Sequence, residues 1–231
     1  MTDKLYYIKL AHRLNHEHHD RLMKVKAHFR GNMNSMSLVS LAKETPELGF
    51  SGIRTEKTAL SKLGELERRG VRLSGRITPE KELQAWIICK ALNSGGRLPF
   101  GQDLLFITSE LALYEDGKKW VNDLLALDKD GGLVVIELKT SRDKTRLEAQ
   151  VAGFIGIIQG NKPFFQELVK LKTGREWNGS ISGMVIWNAG KVKARKIKAG
   201  IREFWYLDAP RSSDRVIQNC DDDLITFEEM F

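Results

Sequence analysis

Cysteine is scarce in this chain of 231 residues: Cys89 and Cys220 are the only two, and they sit in unrelated contexts. That excludes a disulfide framework or a zinc site built from cysteine ligands, and makes a reducing cytoplasm the default compartment. Long hydrophobic runs are missing as well. No apolar stretch approaches the roughly 20 residues of a membrane-spanning helix, so no membrane association is expected. Met1 to Lys9 lacks the short apolar core of a secretion signal. No internal repeat or low-complexity segment is visible. Beyond residue 79 the chain also lacks net charge, with 22 Lys+Arg against 22 Asp+Glu.

What remains is 42% hydrophobic and 29% charged, the composition of a soluble globular protein rather than a disordered one. The length suits one domain of moderate size, with or without a smaller attached unit. The whole excess of +7 belongs to residues 1–79, which hold 15 Lys+Arg against 8 Asp+Glu. A basic module beside a neutral one suits a polyanionic partner, most simply nucleic acid, although ordinary solubility charge has the same composition.

Residues 4–30 read as helical, with Leu10, Leu14, Leu22, Val25 and Phe29 spaced by threes and fours. A short helix over Leu38 to Lys43, a turn containing Pro46, Gly49 and Gly52, and a longer helix over Arg54 to Arg69 follow. Gly70 then stands where a C-cap glycine belongs. With Val71-Arg72-Leu73 as a strand, this rhythm resembles a winged helix-turn-helix; a plain interaction unit has the same pattern. Thr78 and Pro79 open the next helix as N-cap and first helical residue, with Glu80 and Glu82 in its first turn. Strands are expected at Leu104–Tyr114, Trp120–Leu127 and Gly132–Lys139. Helices follow at Thr145–Ile158 and Phe164–Lys172, then a strand at Ser182–Trp187 and a basic strand region at Lys191–Tyr206. The acidic tail from Pro210 to Phe231 reads as loosely attached.

Asp130-Gly131-Gly132 is a hairpin signal between two hydrophobic runs. Folding the chain about residue 130 sets Asp123 opposite Glu137. Side chains alternate along a strand, so Glu137 and Lys139 share a face with Leu133 and Val135. Charged groups at the end of so apolar a strand are costly unless paired or bound to a metal. Asp123, Glu137 and the Leu138 carbonyl form a hard-oxygen set suited to Mg²⁺ or Mn²⁺. Lys139 would hold or help deprotonate an attacking water and offset developing charge. The same residues also read as a structural Asp123/Glu137–Lys139 salt-bridge cluster.

An acidic residue, a hairpin, and Glu137-Leu138-Lys139 at the end of an apolar strand resemble the signature of the PD-(D/E)XK nuclease superfamily. Asn122-Asp123 stands where the family often has Pro-Asp. Glu80-Lys81-Glu82-Leu83 is similar to the helix that supplies an additional glutamate in RecB-like members, with Glu80 the first choice and Glu82 the alternative. Gln150 and Phe154 resemble the Gln-x-x-x-Tyr helix of those members, with Phe in place of Tyr. The stretch from Asp123 to Lys139 also looks like the catalytic domain of NucS-type mismatch endonucleases, whose N-terminal half is largely β-structured, whereas this one reads as helical.

The resemblance implies a restriction-endonuclease-like α/β (α+β) core, a central mixed sheet flanked by helices, over residues 77–209. A basic helical region at 1–76 and the tail at 210–231 flank it. It implies a cytoplasmic Mg²⁺- or Mn²⁺-dependent DNA endonuclease of repair or phage defence, with Glu80, Asp123, Glu137, Lys139 and Gln150 as catalytic residues and a homodimer as a candidate assembly. The metal ligands would be Asp123, Glu137, Leu138 and Glu80. Lys144, Arg146, Lys191, Lys193 and Arg195 are candidates for tracking a nucleic-acid backbone, although lysines on a solvated edge strand have the same pattern. The alternative reading is a catalytically silent nuclease fold that binds DNA or a protein partner. His12, His16 and His19 fall on one helical face, a spacing open to Zn²⁺ or to a polar face contacting phosphate.

Overall fold

Residues 4–30, expected as one helix, break twice. In the computed structural model, which describes residues 3–46, 49–70, 78–100, 103–115, 117–139, 144–188, 201–208 and 225–230, they form α1 (Tyr6–Glu17), α2 (His19–Lys24) and β1 (Ala27–Gly31). His18, at φ −120°, interrupts the helix, and Lys26 at φ 50° turns the chain into the strand. β2 (Met36–Ser40) then pairs antiparallel with β1, from Ala27↔Ser40 to Gly31↔Met36. The short helix expected at Leu38 to Lys43 is therefore corrected to a strand, and the helix-turn-helix pair loses its first member. The longer helix is α3 (Glu56–Arg69), capped by the Thr55 hydroxyl accepting from Thr58 N–H at 3.1 Å and ended by Gly70 at φ 68°.

The chain divides into two compact units, residues 1–86 and 87–231. The first buries Leu14, Leu22, Phe29, Met36, Leu38, Phe50, Ile53 and Leu63 in one core. Asn15 fastens α1 to β1 by donating to Phe29 O and accepting from Phe29 N–H, each at 2.7 Å. Gly31 permits this approach, because a Cβ there would overlap the backbone of Tyr7 and Ile8. α4 (Pro79–Asn93) starts as expected, with Lys81 N–H near the Thr78 hydroxyl at 3.4 Å. It is buried nearly all round, from Leu83 through Cys89, so it shows little amphipathic period. Cys89 is disulfide-bonded, a single bond rather than the multi-disulfide framework that two cysteines exclude. Cys220 lies outside the described residues.

The second unit holds a six-stranded mixed sheet in sequence order: β3 (Leu105–Glu115), β4 (Lys118–Leu127), β5 (Leu133–Lys139), β6 (Ile181–Asn188), β7 (Ile201–Asp208) and β8 (Ile225–Met230). β3, β4 and β5 are antiparallel neighbours. β5, β6 and β7 run parallel, which requires a crossover between β5 and β6. α5 (Lys144–Gly160) and α6 (Lys162–Thr173) supply it. The end of the tail is not loose: β8 pairs antiparallel with β7, from Glu203↔Met230 to Asp208↔Ile225. Among the described residues no helix is long and apolar enough to cross a membrane.

Candidate active site

The hairpin from β4 to β5 turns on Asp128, whose carboxylate accepts from Gly132 N–H at 2.7 Å and Asp130 N–H at 3.0 Å. Gly131 takes φ 85°, a conformation that glycine adopts without strain. This turn fixes the register Leu127↔Leu133 through Leu124↔Ile136, which is folding about residue 130. One further step sets Asp123 opposite Glu137. There the backbone ladder gives way to a side chain: Leu138 N–H donates to Asp123 Oδ2 at 2.8 Å. The carboxylate replaces a strand carbonyl, so the strands can part without leaving a buried N–H unpaired.

Both acids lie deep, Asp123 at 8% and Glu137 at 4% exposure. The Lys139 ammonium stands 2.7 Å from Glu137 Oε1, 2.9 Å from Leu138 O and 3.9 Å from Asp123 Oδ2. Two carboxylate oxygens and one carbonyl thus converge on a single positive group. An all-oxygen, doubly anionic set of this kind fits a hard divalent cation, and in this structure the Lys139 ammonium faces it. Among the described residues no group of three or more His, Cys, Asp or Glu side chains could hold a metal ion, so the fit rests on two carboxylates and a main-chain oxygen. The three histidines of the expected zinc face accordingly do not form such a group. α1 ends at Glu17 and α2 begins at His19, which takes them off a common helix.

The other expected residues belong to α4 and α5 or lie outside the described residues. Glu80 and Glu82 lie in the first turn of α4, within the first compact unit. Glu82 is the more buried of the two, at 8%. Gln150 is exposed on α5, whose buried side chains include Val151, Phe154, Ile157 and Ile158. Phe154 is a core residue, edge-on to Phe165 with centroids 6.5 Å apart. Lys144 and Arg146 belong to the first turn of α5. Lys191, Lys193 and Arg195 lie outside the described residues. In the basic N-terminal unit, several cations are already engaged: Arg13 bonds Glu17 and Glu56, Arg21 bonds Glu67, and Lys62 bonds Glu65. The hydrogen bond from Arg21 holds the Glu67 carboxyl below its usual range, and the bond from Arg13 does the same for Glu56.

Three features were not anticipated. Glu110, inside β3, has φ 50°, a left-handed conformation that is rare for a non-glycine residue in a strand. The pairs Ser109↔Leu124 and Leu111↔Asn122 flank it, so it falls opposite Asp123. Counting back from the turn between Glu115 and Lys118 would have located it. Asn122 is 1% exposed on the opposite sheet face, and among the described residues neither its amide oxygen nor its nitrogen has a hydrogen-bond partner. In the first unit a buried Glu44 at φ 47° accepts from Arg30 at 2.9 Å and lies 3.0 Å from His28 Nε2. No pattern in the sequence marks that cluster. Neither a protein-family model nor a curated protein matches this sequence.

Proposed function

We propose that the chain is a divalent-metal-dependent DNA endonuclease of the PD-(D/E)XK type. The observation that carries this reading is the convergence of Asp123 Oδ2, Glu137 Oε1 and Leu138 O on the Lys139 ammonium, at the point where β4 and β5 part. Two buried carboxylates and a main-chain carbonyl facing one point form the kind of oxygen set that a hard divalent cation takes.

Asp123, Glu137 and the Leu138 carbonyl would hold Mg²⁺ or Mn²⁺. When bound, such an ion supplies Lewis acidity to a phosphodiester and lowers the pKa of water. Asp123 contributes charge and, through the Leu138 N–H, keeps the end of β5 at a fixed spacing. Glu137 contributes the second charge. Lys139 would hold a water or phosphate oxygen and offset charge as the bond breaks. The register that pairs β4 with β5 pre-organises all three, so little ordering remains to be done on binding.

The test is cleavage of single-stranded, duplex, mismatched and branched DNA with Mg²⁺, Mn²⁺ or EDTA, with Glu137→Ala alongside. Metal-dependent product from the wild type and none from the variant is expected. Undiminished cutting by Glu137→Ala would remove the proposed site from the reaction, and salt-sensitive DNA binding without product would favour the silent, binding-only reading.

A further inference from the structure

The two faces of the β3–β4 hairpin differ in cover. One carries Leu113, Trp120, Leu111 and Asn122 and is packed under α5, where Gly153 lies so close to the Trp120 ring that a Cβ would overlap it. The other carries Asp123, and it opens towards the hairpin tip. Along β4, Leu125 is fully buried and Asp123 is 8% exposed; Val121 is half-buried and Lys119 exposed. Along β3 the cross-strand partners on this face are Ala112, opposite Val121, and Tyr114, opposite Lys119. Directly opposite residues project to the same side of a sheet, so Tyr114 and Lys119 share the Asp123 face. Four residues of strand place them about 13 Å from Asp123.

Tyr114 is 66% exposed, more than any other large hydrophobic side chain among the described residues. A single exposed tyrosine is ordinary. Its position is not: it stands beside a lysine on the open face that leads to the buried carboxylates. A lysine that only protected a sheet edge would sit on the edge strand β3, whereas Lys119 is on the second strand. An aromatic ring and an ammonium side by side are the elementary unit by which proteins hold a single nucleic-acid strand, the ring stacking on a base and the cation meeting a phosphate.

We infer that Tyr114 and Lys119 form a nucleotide subsite for a single-stranded segment, Tyr114 stacking on a base and Lys119 pairing with a phosphate about 13 Å from Asp123. The inference rests on the nuclease reading for its orientation. Stacking needs an open base face, which a duplex offers only at its ends, so the subsite favours a flap, overhang or frayed end over a continuous duplex.

The experiment measures binding of fluorescein-labelled oligothymidylate and of a circular duplex to the full chain in EDTA, over a series of salt concentrations, with cleavage in Mg²⁺ or Mn²⁺ followed separately. Tyr114→Ala should weaken single-strand binding roughly tenfold while Tyr114→Trp retains it, and neither should alter circular-duplex binding. Lys119→Ala should lower the slope of log K against log salt by about 0.7. Wild-type affinity in Tyr114→Ala, or an equal loss on both DNAs, would overturn the subsite even if the enzyme cuts. Binding that depends on Tyr114 and Lys119 with no cleavage would uphold the subsite and overturn the nuclease reading. Neither binding nor cutting by the wild type would overturn both.

Discussion

Lys139 is the residue on which two accounts of the site part. In a purely structural cluster its ammonium is the permanent partner of Glu137 at 2.7 Å. In a metal site it is a counter-charge that a divalent ion replaces. Lys139→Met separates the two. Removing one member of a buried charge cluster costs about 3 kcal/mol, because the remaining charges are left without compensation; the side chain's 21% exposure places it at the lower end of such effects. In EDTA the melting temperature should therefore fall. Mn²⁺ or Mg²⁺ at about 100 times its dissociation constant would return roughly 2.7 kcal/mol, so the variant should recover most of the loss on adding metal. A melting temperature indifferent to metal would favour the structural cluster.

At the scale of elements, the central hairpin was readable because its two determinants are local. Asp130-Gly131-Gly132 sets the turn, and the alternation from Leu133 to Lys139 sets which side chains travel together. Register then follows by counting, and the pairs Leu124↔Ile136 to Leu127↔Leu133 agree with it. β1 and β2 were not readable in the same way. Leu22, Val25 and Phe29 keep a helical spacing although Lys26 turns left-handed between them, and β2 buries both faces, so Met36-Ser37-Leu38-Val39-Ser40 shows no alternation. β8 escaped notice because Ile225-Thr226-Phe227 follows a long polar stretch, and its strand form depends on β7, a partner remote from any local signal.

Counting places Glu110 opposite Asp123, but its distortion is not legible, since a left-handed residue inside a strand runs against propensity. It makes a prediction of its own: a left-handed conformation costs a non-glycine residue about 1–2 kcal/mol, and a β-branched one more. Thermal unfolding should rank Glu110→Gly at or above wild type and Glu110→Val below it, the reverse of β-propensity. Val above Gly would mean that this stretch of β3 is a regular strand in solution.

At the scale of the whole molecule, charge and chemistry are segregated along the chain. The excess positive charge lies in residues 1–79, and the converging carboxylates lie in the unit beyond residue 86. Surface ion pairs in that region, of which Arg21–Glu67 and Arg13–Glu56 tie α2 and α1 to α3, use one cation and one acid each, so the excess of +7 in residues 1–79 stands. Exposed pairs of this kind add little stability. The nuclease reading depends on the second unit, which holds the converging carboxylates.

Asp123→Asn tests that reading most directly, because it alters the charge and spares the fold. The Asn carbonyl oxygen can still accept the Leu138 N–H that Asp123 now accepts, so the strand ends should stay in place and the melting temperature in EDTA should remain near wild type. One of the two negative charges facing the cation is lost. Side-by-side cleavage of one labelled DNA in Mg²⁺ should then fall roughly hundredfold or more, in a protein that remains folded. A folded Asp123→Asn variant that cuts as fast as the wild type would contradict the account.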